Sequence, residues 1–220
     1  MTREQRLAMF HGVDIYPVTC EQLSAGRSNL EVLEGVIRGG ARIIQLREKD
    51  YSTRSLYRLA VQFREMTARA GVLLIINDRI DIAMAVDADG VHLGQDDLPI
   101  PVARSLAPEL LIGASTHSLE EALRAQEEGA DYVNIGPIFP TSTKACTTDF
   151  LGPEAIAAIS PRLRVPFTVM GGINGSNLDQ VIARGAKRIA MVTAITQAPN
   201  ISETVSTLRS RILHYQPSAP

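Results

Sequence analysis

The segment Arg42-Ile43-Ile44-Gln45-Leu46-Arg47-Glu48-Lys49 begins as a short apolar run and ends in charged residues. Side chains of an extended strand alternate between two faces, so Gln45, Arg47 and Lys49 share one face. Ile44 and Leu46 lie on the other face, where a covering helix would bury them. Arginine and lysine at the end of a buried strand are suited to bind phosphate oxygens. On this segment alone, a charged strand end that runs into a solvated loop is an equally good interpretation.

Short apolar runs of the same kind recur along the chain, and several are rich in valine and isoleucine. The predicted strands comprise residues 15–19, 42–46, 72–76, 90–93, 110–114, 132–135, 166–170 and 188–192. Amphipathic stretches typical of helices lie between them. This unbroken alternation predicts an α/β fold, a single (β/α)8 TIM barrel. An open doubly wound sheet is the alternative, but the first strand is not followed by a Gly-x-Gly-x-x-Gly turn.

Capping residues mark the ends of several predicted helices. Gly40, Gly129 and Gly185 each come shortly before a predicted strand, as expected for glycines at helix C-termini. Ser52 and Ser118 stand where predicted helices begin, and serine is a preferred N-cap.

Length and composition narrow the class of protein. The predicted barrel spans residues 14–214, between an N-terminal extension of residues 1–13 and a C-terminal tail of residues 215–220. Lys and Arg number 22 and Asp and Glu number 24, so no overall charge favours nucleic acid or an anionic membrane. Cys20 and Cys146 fit neither a disulfide framework nor a metal-binding spacing, which favours a reduced, cytoplasmic protein. The sequence contains no apolar run of membrane-spanning length and no secretory signal.

Polar residues follow most of the predicted strands, at the end of a barrel where chemistry is expected. Asp78 and Asp97 follow neighbouring strands, and such carboxylates commonly hold Mg²⁺ together with substrate phosphates. With Arg47, Lys49 and Lys144 on the same rim, a metal ion and cationic side chains together would hold a diphosphate. The alternative for Asp78 is a helix N-cap, because a predicted helix follows it.

Gly171-Gly172 at the end of the seventh predicted strand is a candidate for a second anion site. Glycines let backbone N–H groups approach a ligand closely, and the following helix would present its positive end. The alternative is a tight turn that needs glycine for its geometry alone.

The histidines give little support to acid–base chemistry. His92 lies within a predicted strand and is expected to be a packed or hydrogen-bonded core residue. His117 lies on the predicted rim, but no acid follows at triad-like spacing. Ser115 is not part of a Gly-x-Ser-x-Gly motif, so hydrolase chemistry has no support.

Six short motifs stand in order along the predicted rim. They are Gln45-Leu46-Arg47-Glu48-Lys49, Asn77-Asp78-Arg79, Gly94-Gln95-Asp96-Asp97, Ser115-Thr116-His117, Gly136-Pro137-Ile138-Phe139-Pro140-Thr141-Ser142-Thr143-Lys144 and Gly171-Gly172-Ile173. Together they resemble the thiamine phosphate synthase family, over residues 16–195. The resemblance implies a barrel transferase that condenses 4-amino-2-methyl-5-hydroxymethylpyrimidine diphosphate with 4-methyl-5-(2-hydroxyethyl)thiazole phosphate. The products would be thiamine phosphate and diphosphate.

The resemblance also implies a role for each matching residue. The pyrimidine diphosphate site would comprise Gln45, Leu46, Arg47, Glu48, Lys49, Asn77, Ser115 and Lys144. Arg47, Lys49 and Lys144 would assist the departure of diphosphate, while Asp78 and Asp97 would hold the cofactor Mg²⁺. The thiazole phosphate site would comprise Thr141, Ser142, Thr143, Gly172, Val192 and Thr193. Thr193 departs from the serine that is common in the family, but it keeps a hydroxyl.

Two other functions stay open. A thiazole tautomerase-like barrel enzyme would share the phosphate site. It needs an acid/base pair, however, and has no use for the cationic side chains and metal-binding carboxylates of a diphosphate site. A non-catalytic ligand-binding paralogue would keep the pocket but would be expected to lose a residue of the diphosphate site. None of these residues is missing here. The expected partners are the two small-molecule substrates, with neither nucleic acid nor membrane, and a homo-oligomer is compatible with the sequence.

Overall fold

The computed structural model describes residues 1–141 and 150–215. The strands are β1 (Ile15–Pro17), β2 (Ile43–Leu46), β3 (Leu73–Asn77), β4 (Gly90–Leu93), β5 (Leu111–Thr116), β6 (Tyr132–Ile135), β7 (Phe167–Val169) and β8 (Ile189–Met191). The helices are α1 (Arg3–His11), α2 (Asn29–Arg38), α3 (Thr53–Ala70), α4 (Ile80–Ala85), α5 (Ile100–Leu106), α6 (Leu119–Glu127), α7 (Glu154–Ile159), α8 (Leu178–Ile182), α9 (Thr193–Thr196) and α10 (Ile201–Leu213). Each predicted strand is present, within two residues of its expected bounds.

The strands form a single parallel sheet in the order β1-β8-β7-β6-β5-β4-β3-β2. Its two edges meet just beyond β1, where Val18 and Gln45 form a parallel bridge. The Thr19 N–H donates to the Gln45 carbonyl there at 2.9 Å. The predicted TIM barrel is therefore confirmed.

The capping residues predicted from the sequence are also confirmed. Gly40, Gly129 and Gly185 have φ angles of 81°, 99° and 93°, a region that L side chains rarely adopt. The hydroxyls of Ser52 and Ser118 each accept a backbone N–H from the first turn of the helix that follows.

Apolar side chains pack in two layers, one on each side of the strands. Ile44 and Leu46 lie in the outer layer, between the strands and the helices. Ile43 lies in the inner layer, inside the barrel, together with Tyr16 and Tyr132. The alternation along β2 predicted this division.

Helix α1 covers the end of the barrel at which the strands begin. Phe10 is fully buried, and its ring stacks on that of Tyr132 with the centroids 4.4 Å apart. The guanidinium of buried Arg6 lies 3.5 Å from the Asp89 carboxylate. Helix α1 thus contributes to the core, although it lies within the segment predicted as an extension. The division of the chain into extension, barrel and tail stays a prediction, and residues 216–220 lie outside the described residues.

Three buried aspartates at the same end, Asp14, Asp89 and Asp131, bind the backbone of the sheet. Their carboxylates accept N–H groups from Ile15, Leu74 and Ile112 at 2.6, 2.8 and 2.7 Å. Their ionic partners are Arg209 for Asp14, Arg6 and Arg64 for Asp89, and Arg3 and Arg104 for Asp131. Buried carboxylates need such partners, so this end stabilises the fold and the opposite end is available for ligands. None of the described helices has both the length and the apolarity to cross a membrane.

Candidate active site

A cavity of about 390 Å³ opens at the end of the barrel where the strands finish. This volume is suited to a small-molecule ligand, and the position is the usual one for a barrel site. The sequence-predicted residues that line it are Gln45, Arg47, Lys49, Asn77, Asp78, Asp97, Ser115, Thr141, Gly172, Val192 and Thr193. Of the other predicted site residues, Ser142, Thr143 and Lys144 lie outside the described residues. Leu46 and Glu48 are described, but they are not part of the lining.

Side chains at the end of β2 and just after it point alternately into the cavity and into the protein interior. Arg47 and Lys49 line the cavity, whereas Leu46 is buried in the layer under the helices. The Arg47 N–H donates to the Thr19 hydroxyl at 2.9 Å, which ties the strand end to the loop after β1. The backbone at Arg47 is therefore fixed by the loop after β1.

Glu48 reinforces the same connection between the loops after β1 and β2. Its carboxylate accepts the Glu21 N–H at 3.0 Å and the Thr19 hydroxyl at 3.2 Å. Burial raises the pKa of Glu48, and its hydrogen bonds only partly offset that effect. The Glu48 side chain thus positions the loop that carries Arg47 and Lys49.

Asp78 lies in a strained position beside the cavity. Its φ of 59° is left-handed, and its N–H donates to the His92 carbonyl at 2.8 Å. Its carboxylate forms an ion pair with Lys49. The alternative that Asp78 caps α4 is wrong, because the N-cap residue is Arg79, whose side chain makes no capping hydrogen bond. Non-glycine residues in this backbone region are typical of functional sites.

Asp97 lies close to Asp78, whose carboxylate is one of the charges that act on it. The Asp97 carboxylate accepts the Gly94 N–H at 2.7 Å. Burial raises the pKa of Asp97, and the nearby Asp78 carboxylate raises it further. A divalent cation would relieve this repulsion, so the pair fits the way Mg²⁺ binds through one or two carboxylates and substrate phosphates.

The charge of the lining supports the same interpretation. Among its described residues the carboxylates are Asp78, Asp96, Asp97 and Glu121, and the Lys and Arg side chains are Lys49 and Arg47. A diphosphate would be repelled by such a wall unless further positive charge accompanied it. Within residues 1–141 and 150–215, no cluster of three or more His, Cys, Asp or Glu could hold a metal ion by itself. A Mg²⁺ ion held by Asp78 and Asp97 would complete its coordination with substrate phosphate oxygens and water.

Gly171 and Gly172 form the opposite wall, and their geometry requires glycine. Their φ angles are 108° and 62°. A Cβ on Gly171 would lie 2.6 Å from the Pro137 Cα, and one on Gly172 would lie 2.9 Å from the Phe139 Cβ. The tight-turn interpretation therefore holds, and it is compatible with an anion site because Gly172 also lines the cavity.

The helix after Gly172 is not placed as the sequence analysis expected. Helix α8 starts only at Leu178 and has five residues, so no helix begins directly after the glycine pair. Helix α9 does begin at the cavity, with Val192 as N-cap and Thr193 as its first residue. Its first intrahelical bond is donated by the Ile195 N–H, so the amides of Thr193 and Ala194 precede the helical hydrogen bonds. Phosphate-binding sites of barrels commonly lie here, after strands seven and eight.

The polar lining residues that were not predicted as site residues include His92, His117, Glu121 and Asn134. His92 is hydrogen-bonded, as expected, but it also reaches the cavity. The His117 Nδ1 lies 2.9 Å from a Glu121 carboxylate oxygen, one helical turn along the chain, a spacing the sequence contained. Asn134 shares the inward face of β6 with Tyr132, so strict alternation along that strand would have found it.

Comparisons with known proteins agree on one family. A family model described as thiamine monophosphate synthase matches residues 15–195. The chain is 45% identical to the thiamine-phosphate synthase of Chloroflexus aurantiacus over 94% of this chain and 96% of the relative. It is 44% identical to that of Pelotomaculum thermopropionicum, over 96% and 98% of the two chains. The structure of a thiamine phosphate pyrophosphorylase from Pyrococcus furiosus superposes with a TM-score of 0.84 and 37% identity, covering 91% of this chain and 96% of that one.

Proposed function

The chain belongs to the thiamine monophosphate synthase family, and on that premise we propose how its cavity carries out the reaction. Its activity is that of a thiamine-phosphate synthase, which is a transferase. We propose that the wall formed by Arg47, Lys49, Asp78 and Asp97 binds the pyrimidine diphosphate. The wall formed by Gly172 and the start of α9 would bind the thiazole phosphate.

Arg47 and Lys49 would stabilise the diphosphate as it leaves. The bond between the pyrimidine methylene carbon and the diphosphate oxygen breaks, and the oxygen keeps the electron pair. Cationic donors fixed around the leaving group stabilise this charge more strongly than mobile water does. Arg47 is held through its N–H by Thr19, and the partly exposed Lys49 ammonium can reach a phosphate oxygen from its position beside Asp78. Lys144, which the family resemblance implies as a third cation, stays a prediction.

Asp78 and Asp97 would hold Mg²⁺ next to the diphosphate. When bound, the ion would neutralise part of the negative charge that develops on the leaving group. The two carboxylates come from the loops after β3 and β4, so their spacing is set by paired strands.

The thiazole phosphate would be held by backbone N–H groups at Gly172 and at Thr193. This anchoring would bring the thiazole nitrogen up to the methylene carbon, to which it donates its lone pair. The protein needs to supply neither a nucleophile nor a base, because the nitrogen carries no proton to remove. The hydroxyl of Thr193 is compatible with this role, since the proposed contact is made by its backbone.

The observation that carries the proposal is that Arg47, Lys49, Asp78 and Asp97 line a single cavity. An isomerase or a tautomerase-like enzyme has no need for such a diphosphate site. A cytoplasmic location, a homo-oligomeric state and Mg²⁺ as the metal stay predictions.

The test is to mix the purified protein with both substrates, with and without Mg²⁺, and to measure thiamine phosphate and diphosphate. Equal amounts of the two products are expected only when Mg²⁺ is present. Asp78→Ala and Lys144→Ala should each lower the rate by at least about 100-fold, as for the loss of a group that stabilises transition-state charge. Exposed Asp179, far along the chain in α8, gives a matched control as Asp179→Ala. Near-normal rates in both site variants would refute the assignment, and binding without turnover would favour a non-catalytic paralogue.

A further inference from the structure

A continuous row of hydrogen-bonded side chains crosses the barrel interior from β2 to β5. The Gln45 Nε2 donates to the Tyr16 hydroxyl at 3.1 Å, which lies 2.9 Å from the Tyr132 hydroxyl. The Tyr132 hydroxyl lies 3.1 Å from the His92 Nδ1, and the His92 Nε2 lies 3.0 Å from the Ser115 Oγ. Gln45 and Ser115 line the cavity, so the row begins and ends at the site.

The two tyrosines at the centre of the row are buried in the core. Tyr16 and Tyr132 are 1% and 0% exposed, and burial raises the pKa of both phenols above the ordinary value. Each hydroxyl therefore keeps its proton and has one hydrogen to donate. Gly113 makes room for the row, because a Cβ there would lie only 2.6 Å from the His92 Nδ1.

The Gln45 amide sets the direction in which the row donates. Because it donates to Tyr16, the Tyr16 hydroxyl is free to donate onward to Tyr132, and Tyr132 then donates to the His92 Nδ1. A neutral His92 ring then carries its proton on Nε2 and donates it to the Ser115 oxygen. The reverse direction would require the Gln45 amide to be turned over, so that its oxygen accepts the Tyr16 hydrogen and its nitrogen no longer donates to Tyr16.

We propose that Tyr16, Tyr132 and His92 are positioning residues that make Ser115 a hydrogen-bond donor towards the cavity. The Ser115 oxygen accepts from His92, so its own hydrogen is directed at an anionic ligand. The oxygen of the Gln45 amide is held as an acceptor, because its nitrogen is engaged by Tyr16. This inference rests on the proposed function, in which Ser115 contacts the pyrimidine diphosphate. It adds that Ser115 is the hydrogen-bond donor in that contact.

The tautomer of His92 tests the proposal directly, without any substrate. Long-range ¹H–¹⁵N correlation spectra of the histidine-labelled protein distinguish a protonated Nε2 from a protonated Nδ1, and His92→Gln identifies the signal. The native protein should show the Nε2-protonated tautomer. Tyr132→Phe keeps the ring that stacks on Phe10 but removes the donor to Nδ1, so it should give a mixture of tautomers. A protonated Nδ1 in the native protein would overturn the proposal, whether or not the protein is an active synthase.

Kinetics test whether the row acts through Ser115. Tyr132→Phe should lower kcat about tenfold, the effect of misaligning one donor to a charged leaving group, and leave KM for the thiazole phosphate unchanged. In the Ser115→Ala background the same change should have no further effect, because the interaction is already lost. Thr67→Val is the control, since it removes a buried hydroxyl that donates to the Phe63 carbonyl in α3. Wild-type kcat in Tyr132→Phe, or a full second loss in the Ser115→Ala background, would refute the role.

Discussion

Replacing Phe10 with alanine is expected to lower the free energy of unfolding by about 3–5 kcal/mol, the range for removing a fully buried phenylalanine. The side chain is 0% exposed. Its ring stacks on Tyr132, meets Tyr16 edge-on at 6.5 Å and lies under the Arg188 guanidinium at 5.6 Å. Each aromatic pair adds about 0.5–1.5 kcal/mol beyond the area it buries, so the loss should fall in the upper part of that range.

Urea unfolding monitored by circular dichroism measures the free energy of unfolding of both proteins. The m-value should be the same in the two, so that the shift in the midpoint reports the change in stability. Phe10→Leu is the graded comparison, because it keeps most of the apolar volume and should cost clearly less than alanine. A loss of less than about 1 kcal/mol for Phe10→Ala would refute the reasoning, since removing a core side chain of this size costs several times more. It would mean that α1 opens independently of the barrel, as a separable extension would.

The three other predictions concern the loops around the cavity. Glu48→Ala should lower kcat/KM about tenfold, because the loop with Arg47 and Lys49 loses one of its connections to the loop after β1. Glu48→Gln should keep most activity, since its amide oxygen still accepts hydrogen bonds. Because burial raises the pKa of Glu48, the folded state binds that proton more tightly than the unfolded state. Wild-type stability should therefore fall relative to Glu48→Gln in urea titrations as the pH rises from the ordinary value of 4.5 through the raised pKa, and an unchanged difference would contradict the burial argument. Gly172 has a φ of 62°, and a Cβ there would meet the Phe139 Cβ. Gly172→Ala should therefore raise KM for the thiazole phosphate by about tenfold or more, while KM for the pyrimidine diphosphate stays constant. Parallel changes in both constants would argue against a separate thiazole phosphate site.

The fold could be predicted because its signals are local. A buried parallel strand reads as a short apolar run, and serines and glycines mark the helix ends, so the strand positions and the capping residues required no knowledge of distant contacts. The roles of Asp14, Asp89 and Asp131 could not be found in this way. Each depends on arginines far along the chain, such as Arg209 for Asp14, and an isolated aspartate before a strand does not reveal its partner.

The candidate site was predictable where alternation and strand ends decide the geometry. Arg47 and Lys49 line the cavity as the pattern of β2 requires. The same pattern places Leu46 and Glu48 on the other face, but the family resemblance assigned the whole segment to the substrate site. His92, by contrast, was not predicted as a site residue although it lines the cavity. Its position within a strand was consistent with a core residue, and its contacts to Tyr132 and Ser115 come from other strands.

Strand β4 connects the proposed metal site to the proposed donor for the diphosphate. The His92 carbonyl accepts the Asp78 N–H, which holds that residue in its left-handed conformation, and the His92 ring contacts Ser115. Asp97 follows the same strand and is fixed by the Gly94 N–H. A strained backbone conformation persists only where neighbouring structure holds it in place. For Asp78 that structure is β4, which is paired with β3 on one side and with β5 on the other. Hydrogen bonds to β4 and to the loop after it therefore fix Asp78, Asp97 and Ser115 relative to one another.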